Sequence, residues 1–142
     1  MGLMVREAES LLRAHYEEIA WRKDKIKLNP DWNHYAALEL AGRLVGFSLR
    51  KGGHLVGYSV FFLGPHPHYK DTTIALNDVI FVIPEMRGGA GGLLITTAEA
   101  ELKALGVHVV SYHIKKCLDW GPLAERFGYE AVETNHWKYV GD

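Results

Sequence analysis

Val79-Ile80-Phe81-Val82-Ile83-Pro84-Glu85-Met86-Arg87-Gly88-Gly89-Ala90-Gly91-Gly92-Leu93-Leu94 is the stretch on which the reading of this 142-residue chain turns. The apolar run Val79 to Ile83, closed by Pro84, predicts a buried strand. Leu93 to Leu105, closed by Gly106, predicts a helix. Between them, Arg87-Gly88-Gly89-Ala90-Gly91-Gly92 forms a glycine-rich loop that opens the helix. Such a loop leaves backbone N–H groups free at the positive end of the helix dipole, which suits a phosphate.

Outward from this loop the pattern is mixed. Leu3 to about Trp21 reads as an amphipathic helix. Leu11, Leu12, His15 and Ile19 share one face, and Glu7, Arg13, Glu17 and Glu18 mostly lie elsewhere. Asn29-Pro30-Asp31 marks a loop, and a second helix is expected from Asp31 or Asn33 to Ala41. Leu44 to Arg50, His54 to Leu63 and Thr72 to Ile83 read as strands, the first two joined through Lys51-Gly52-Gly53. Gly64-Pro65-His66-Pro67-His68 is expected to break the second from the third. After the glycine loop and its helix, a strand is expected over Val107 to Ile114 and a short helix over Asp119 to Phe127. Two last strands are expected over Tyr129 to Val132 and His136 to Val140. This order predicts one α/β domain over residues 1–142, with a mixed sheet.

Composition bounds the rest. With 48% hydrophobic and 23% charged residues the chain is an ordinary globular one. A net charge of −1 supplies no basic field for nucleic acid. No apolar stretch approaches the roughly 20 residues that span a bilayer. Arg6, Glu7 and Glu9 stand where a signal peptide would be apolar, so a soluble, cytoplasmic protein is expected. The single cysteine, Cys117, excludes an internal disulfide and suits a reducing compartment. The eight histidines are scattered, with no His-x-x-x-His pair on a predicted helix, so no metal site is expected.

Two familiar phosphate loops do not fit. No Lys and hydroxyl follow Gly91-Gly92, as a nucleotide-hydrolase loop requires, and no Rossmann fingerprint with its acidic residue is present. Strand, x-Pro, Arg, glycine loop and helix instead resemble the acyl-CoA-binding motif of the GNAT family of N-acetyltransferases. That motif is Gln/Arg-x-x-Gly-x-Gly/Ala, matched at Arg87 and Gly92, with Ala90 where its first glycine is usual. Leu123-Ala124-Glu125-Arg126-Phe127-Gly128-Tyr129-Glu130 is similar to the family's late helix and hydrophobic-Gly-aromatic turn. Element order follows the family fold throughout, apart from a weak or absent first strand.

The resemblance implies a mostly antiparallel central sheet flanked by helices, acetyl-CoA as co-substrate and a primary amine as acceptor, whether a small molecule or a protein. It leaves a homodimer open. It places the pyrophosphate on the amides of Gly88, Gly89, Ala90, Gly91 and Gly92, with Arg87 adding charge or bracing the loop. The pantetheine arm would lie along the backbone of Ile80, Phe81, Val82 and Ile83 where that strand splays from the next at a bulge. An N–H near Ile80 or Phe81 would meet the carbonyl oxygen.

Asp78 is the candidate base. It lies at the end of an apolar stretch, where burial raises a carboxylate pKa, and an ammonium with a pKa of about 10.4 must lose a proton before it attacks. Asn77 is placed to orient water or substrate. The tyrosine that often protonates the leaving thiolate falls at Ala124 here. Tyr112, His113, Tyr129 or water can replace it, since a thiol of pKa about 8.5 leaves readily. The 64–70 loop, Trp32, Tyr35 and Trp120 are candidates for the acceptor wall. Two other readings remain open: a GNAT-fold binding or structural protein without catalysis, and a module that recognises a partner through the helix of residues 3–21, which requires an exposed apolar stripe there.

Overall fold

A computed structural model describes the backbone of residues 2–142 and the side chains of residues 7–142. Two helices, α1 (Gly2–Ile19) and α2 (Trp32–Leu40), precede three strands, β1 (Leu44–Lys51), β2 (His54–His66) and β3 (Tyr69–Val82). Helix α3 (Ala90–Ala104), strand β4 (Val109–Ser111) and helix α4 (Gly121–Arg126) follow. The sheet order is β1-β2-β3-β4, antiparallel except for the parallel β3–β4 pair. This is the mixed, mostly antiparallel sheet with flanking helices that the sequence predicts.

Helices cover both faces. Ala98 and Leu102 of α3 pack with Phe61 and Ala75 on one face. Ala8, Leu11 and Leu12 of α1 pack with Tyr58, Val79 and Phe81 on the other. The apolar stripe of α1 is therefore used internally, which removes the basis for reading it as a free docking helix. Glu7 of α1 accepts from both terminal guanidinium nitrogens of Arg50 on β1, at 2.6 and 2.9 Å.

One irregularity organises the sheet. Val60 pairs with Val79 and Phe61 pairs with Asn77, so Asp78 is an extra residue, a β-bulge. The buried side chain of Asn77 holds it, its amide nitrogen donating to the carbonyls of Val60 at 3.2 Å and Val79 at 3.0 Å. A bulge inverts the alternation of side chains along a strand. Ala75 accordingly joins the α3 core, whereas Val79 and Phe81 join the α1 core. Asn77 thus acts as a clamp for the backbone.

Other expectations change as well. The 64–70 loop is not a break: β2 continues to His66, and the hairpin closes at Pro67-His68. Helix α3 begins at Ala90, three residues earlier than predicted. Strand β4 has only three residues, because β3 bends away at the bulge immediately after Leu76 pairs with Ser111. Tyr129 to Val132 and His136 to Val140 form no ladder: they alternate like strands but the β4 edge beside them is too short to template pairing.

Replacing Asn77 with alanine should leave the Val60 and Val79 carbonyls without their donor. We expect a loss of about 1–3 kcal/mol in chemical denaturation. An unchanged unfolding midpoint would mean that the bulge holds itself.

Candidate functional site

Beyond the bulge, β3 has no partner on its β4 side. Ile83 donates its amide to Val56 of β2 at 2.9 Å, so alternation turns the Phe81 amide to β2 as well and directs those of Ile80 and Val82 outward. Of the predicted backbone contacts, Ile80 and Val82 therefore face the gap and Phe81 does not. The outward carbonyl of Val82 is taken by Arg87, whose Nε donates to it at 2.9 Å. The same guanidinium donates to both carboxylate oxygens of Glu18 at 2.7 and 3.0 Å and lies 5.6 Å above the Phe81 ring. Arg87 braces α1 against the end of β3. Its partner is Glu18, not the neighbouring Glu85, and its donors are not directed at the glycine loop.

The loop itself is bare. Gly88 takes a φ of +114°, a conformation that disfavours side chains, and Gly89 is the helix N-cap with no side-chain acceptor supplied to it. The first helical bond runs from Leu93 to the Gly89 carbonyl, which leaves the amides of Ala90, Gly91 and Gly92 free. The amides of Gly88 and Gly89 also find no acceptor among the described residues. Gly92 packs closely, because a Cβ there would lie 3.0 Å from the Phe127 ring and the ring would have to give by a few tenths of an ångström. Gly89 is different: nothing lies within 4 Å of where its Cβ would be. Packing within the protein therefore does not require a glycine at that point.

Phe127-Gly128-Tyr129 also acquires a structural reason. Gly128 ends α4 at a φ of +89°, with the Tyr129 amide reaching back to the Ala124 carbonyl at 3.2 Å. Tyr129 then donates its hydroxyl to Glu99 of α3 at 3.0 Å. The Tyr129 hydroxyl ties the end of α4 to the middle of α3.

Asp78 opens into a cleft of about 390 Å³ between α1, the 20–32 loop, α2 and the β2–β3 face. The bulge puts Asp78 and its neighbour Val79 on the same side, and both line this cleft. The Tyr35 hydroxyl donates to Asp78 Oδ2 at 2.5 Å, and Tyr35 stacks on Phe62. Burial raises the Asp78 carboxyl above the usual carboxylate range, and the Tyr35 hydrogen bond pulls it part of the way back. Burial, with the Asp78 hydrogen bond and charge, keeps Tyr35 protonated. Tyr58 also lines the cleft, and its hydroxyl is buried with no partner among the described residues.

The three residues predicted to carry proton transfer are not brought together. His113 is exposed and shares a 3.0 Å hydrogen bond with Asn135, away from the cleft. Tyr112 packs edge-on against Phe61, Trp120 and Tyr129 and is absent from the cleft lining. Its hydroxyl is buried near that of Tyr129 without reaching hydrogen-bond geometry, and burial raises its pKa. The 64–70 loop and Trp120 also lie outside the cleft, while Trp32 and Tyr35 line it. Sequence reasoning missed His15, Tyr58, Trp137 and the Tyr35–Asp78 bond. Only the buried stretch around Asp78 pointed toward that bond.

No family model matches the sequence, and comparison with curated proteins yields no match. Solved structures do match. An aminoglycoside acetyltransferase from an uncultured soil metagenomic sample, solved with sisomicin, superimposes at a TM-score of 0.74 and 18% identity, over 97% of this chain and 88% of its own. The ribosomal-protein-alanine N-acetyltransferase of Brucella melitensis biovar Abortus 2308 superimposes at 0.70 and 19%, over 96% and 94%. A predicted acetyltransferase of Clostridium acetobutylicum, solved with acetyl-CoA, does so at 0.63 and 15%, over 99% and 88%. The chain has the GNAT fold. Among the described residues no helix is long and apolar enough to cross a membrane.

His15 lines the cleft floor, stacked on Phe81 with ring centroids 5.0 Å apart. Burial lowers its pKa from 6.5 to about 4, opposed by Glu18 and helped by Arg87 and Lys115. The unfolded chain binds a proton near pH 6.5 that the folded chain refuses until about pH 4. Stability is therefore full above that window and falls as pH drops through it. Between pH 7 and 4.5 we expect His15→Phe to lose on the order of 2–3 kcal/mol less than the parent in denaturant titrations. Equal losses in the two proteins would show that His15 does not titrate in this way.

Proposed function

We propose that this protein is an N-acetyltransferase that moves an acetyl group from acetyl-CoA to a primary amine by direct attack. One observation carries the reading: the Asp78 bulge both opens an unpaired strand edge and turns a half-buried carboxylate into the adjoining cleft. The open edge suits an extended amide-bearing arm that hydrogen-bonds like an added strand. The five free amides of Gly88 to Gly92 suit a pyrophosphate, and the bare surface at Gly89 gives it room. Acetyl-CoA supplies an activated thioester carbonyl.

The chain's own residues do the rest. Asp78 takes a proton from the acceptor ammonium, directly or through water, and Tyr35 holds the carboxylate in place. The Ile80 amide, turned to the open side, stabilises negative charge developing on the carbonyl oxygen. A C–N bond forms and the C–S bond breaks. Of the two protons that an ammonium acceptor sheds, one ends on sulfur and one leaves through Asp78 to water. Neither Tyr112 nor His113 is assigned a step. Water returns the proton to the thiolate, consistent with Ala124 at the position where a tyrosine is usual.

That same Ala124 favours a second reading, a GNAT-fold protein that binds acyl-CoA without turning it over. Titration of acetyl-CoA by calorimetry, followed by assay of thiol release with amines, separates the two. Binding with no release on any amine supports the second, and no binding removes both.

Two variants test the assignment of residues. Gly89→Glu adds charge at an open position without a clash, and we expect acetyl-CoA affinity to fall at least 10-fold with the fold retained. Undiminished affinity would remove the loop as the pyrophosphate site. We expect Asp78→Asn to lower kcat by about 10²–10⁴-fold with acetyl-CoA affinity kept. Tyr35→Phe removes a donor that lowers the Asp78 pKa, so the acidic limb of its kcat/KM profile should move to higher pH. A limb that stays put would mean that Asp78 is not the titrating base.

A further inference from the structure

The cleft above Asp78 has a chemistry of its own. Asp78 is the only carboxylate among the described residues that line it, and the lining cations are Lys27 and Lys115. Aromatic rings form much of its wall. Trp32 and Tyr35 lie 5.8 Å apart on one side, and Trp21 meets Trp137 edge-on at 5.8 Å on the other. Trp21 and Trp32 are 38% and 37% exposed and Trp137 is 60% exposed, so their rings are only partly covered by the protein itself. Lys115 sits with its ammonium 4.1 Å from the Trp137 ring centroid. At the floor, the Tyr58 hydroxyl is buried, unpartnered and able to accept or donate.

We propose that the acceptor taken by this cleft is a monocationic primary amine carried on an aromatic or fused-ring body, an arylalkylamine, rather than a polyamine, an aminosugar or a lysine-rich peptide. The proposal rests on the transferase reading for its chemistry and on the cleft alone for its choice of ligand. One carboxylate at the floor neutralises one ammonium. A second or third ammonium would meet Lys27 and Lys115 with no acidic partner in the lining, and like charges at short range are disfavoured. The ring walls offer a flat aromatic body stacking and edge contacts, and their faces attract the ammonium on its way in. An apolar, water-poor setting also favours the neutral amine, the form that attacks a thioester. The volume of about 390 Å³ lies in the range of small-molecule sites and has no need of a polymeric ligand.

The test uses the full chain. Binding is read by quenching of tryptophan fluorescence or by NMR line broadening with phenethylamine, spermidine, kanamycin and a lysine-rich peptide, each alone. Transfer is read by thiol release with acetyl-CoA and the same panel plus tryptamine. We expect the two arylalkylamines to have kcat/KM at least 100-fold above spermidine and kanamycin. Trp32→Ala should raise KM for tryptamine about 10-fold with a smaller effect on kcat. Lys115→Glu, which adds a carboxylate at the cleft wall, should improve spermidine binding. That variant tests the charge argument even if Trp32→Ala fails to fold.

Spermidine, kanamycin or the peptide outperforming the arylalkylamines would overturn the proposed acceptor while leaving the transferase reading intact. Phenethylamine binding at micromolar concentration with no thiol release from any amine would keep the ligand assignment and overturn the transferase reading. Lys115→Glu without effect on spermidine would overturn the charge argument on which the choice rests.

Discussion

Two hydrogen bonds from the Asn77 side chain, to the carbonyls of Val60 and Val79, hold the one extra residue on which the rest of the site depends. Regular pairing of the same sequence, with no bulge, would put Ala75 on the same face as Val79 and Phe81, toward α1. Ala75 would then leave the core it fills completely on the α3 side. With the bulge, both helix layers have their apolar partners. The cost is a strand that can no longer keep company with its parallel neighbour. β4 stays paired for three residues and then departs, and the edge of β3 beyond the bulge is left open. An open edge, a gap and a carboxylate turned into a cleft are three consequences of one local insertion.

The open edge is protected from collapse by a second device. Arg87 spans from the Val82 carbonyl to Glu18 and covers the Phe81 ring, tying α1 to the end of β3. Its charge is spent within the protein, so the electropositive character of the glycine loop comes from backbone amides and the dipole of α3 alone. Arg87 also helps keep His15 neutral beneath it, together with burial. A neutral imidazole stacked on Phe81 supports the cleft floor without adding a cation next to Asp78. The electrostatics of the cleft are thereby reduced to one carboxylate at the floor and two lysines in the lining.

Much of this was legible in the sequence where the physics is local. Strand, proline, glycine loop and helix are set by short-range rules, and the loop falls where they place it. The stripe Leu11, Leu12, His15 and Ile19 on α1 faces inward as its spacing requires. The misses are non-local. Tyr129 to Val132 and His136 to Val140 alternate like strands, but a strand needs an edge, and β4 ends too soon to provide one. Asn77 and Asp78 are adjacent polar residues in an apolar run. Nothing in that run tells which one clamps the bulge and which enters the cleft, because the answer lies in the register against Val60 and Phe61. His113 was drawn toward the site by its position after β4. The divergence of the strands instead carries it out to Asn135. Tyr35 lies 43 residues from Asp78, and no local pattern distinguishes it from the other aromatics as the carboxylate's partner.

The division between what was read and what was missed follows a division within the site. The glycine loop and the strand beside it are built from backbone: free amides at a helix start and an unpaired strand edge. Backbone geometry persists through extensive side-chain change, which is why structures only 15–19% identical share this fold. The cleft is lined by side chains on α1, the 20–32 loop, α2 and the segment around Trp137, contributed from distant parts of the chain. Those side chains vary without disturbing the amides. A fold of this kind can therefore keep its sheet and helix start while the charge and shape of the cleft change freely. In this chain the cleft carries paired aromatic rings and two lysines around a single carboxylate, so its selectivity is set by its own lining rather than by the sheet it shares with other structures.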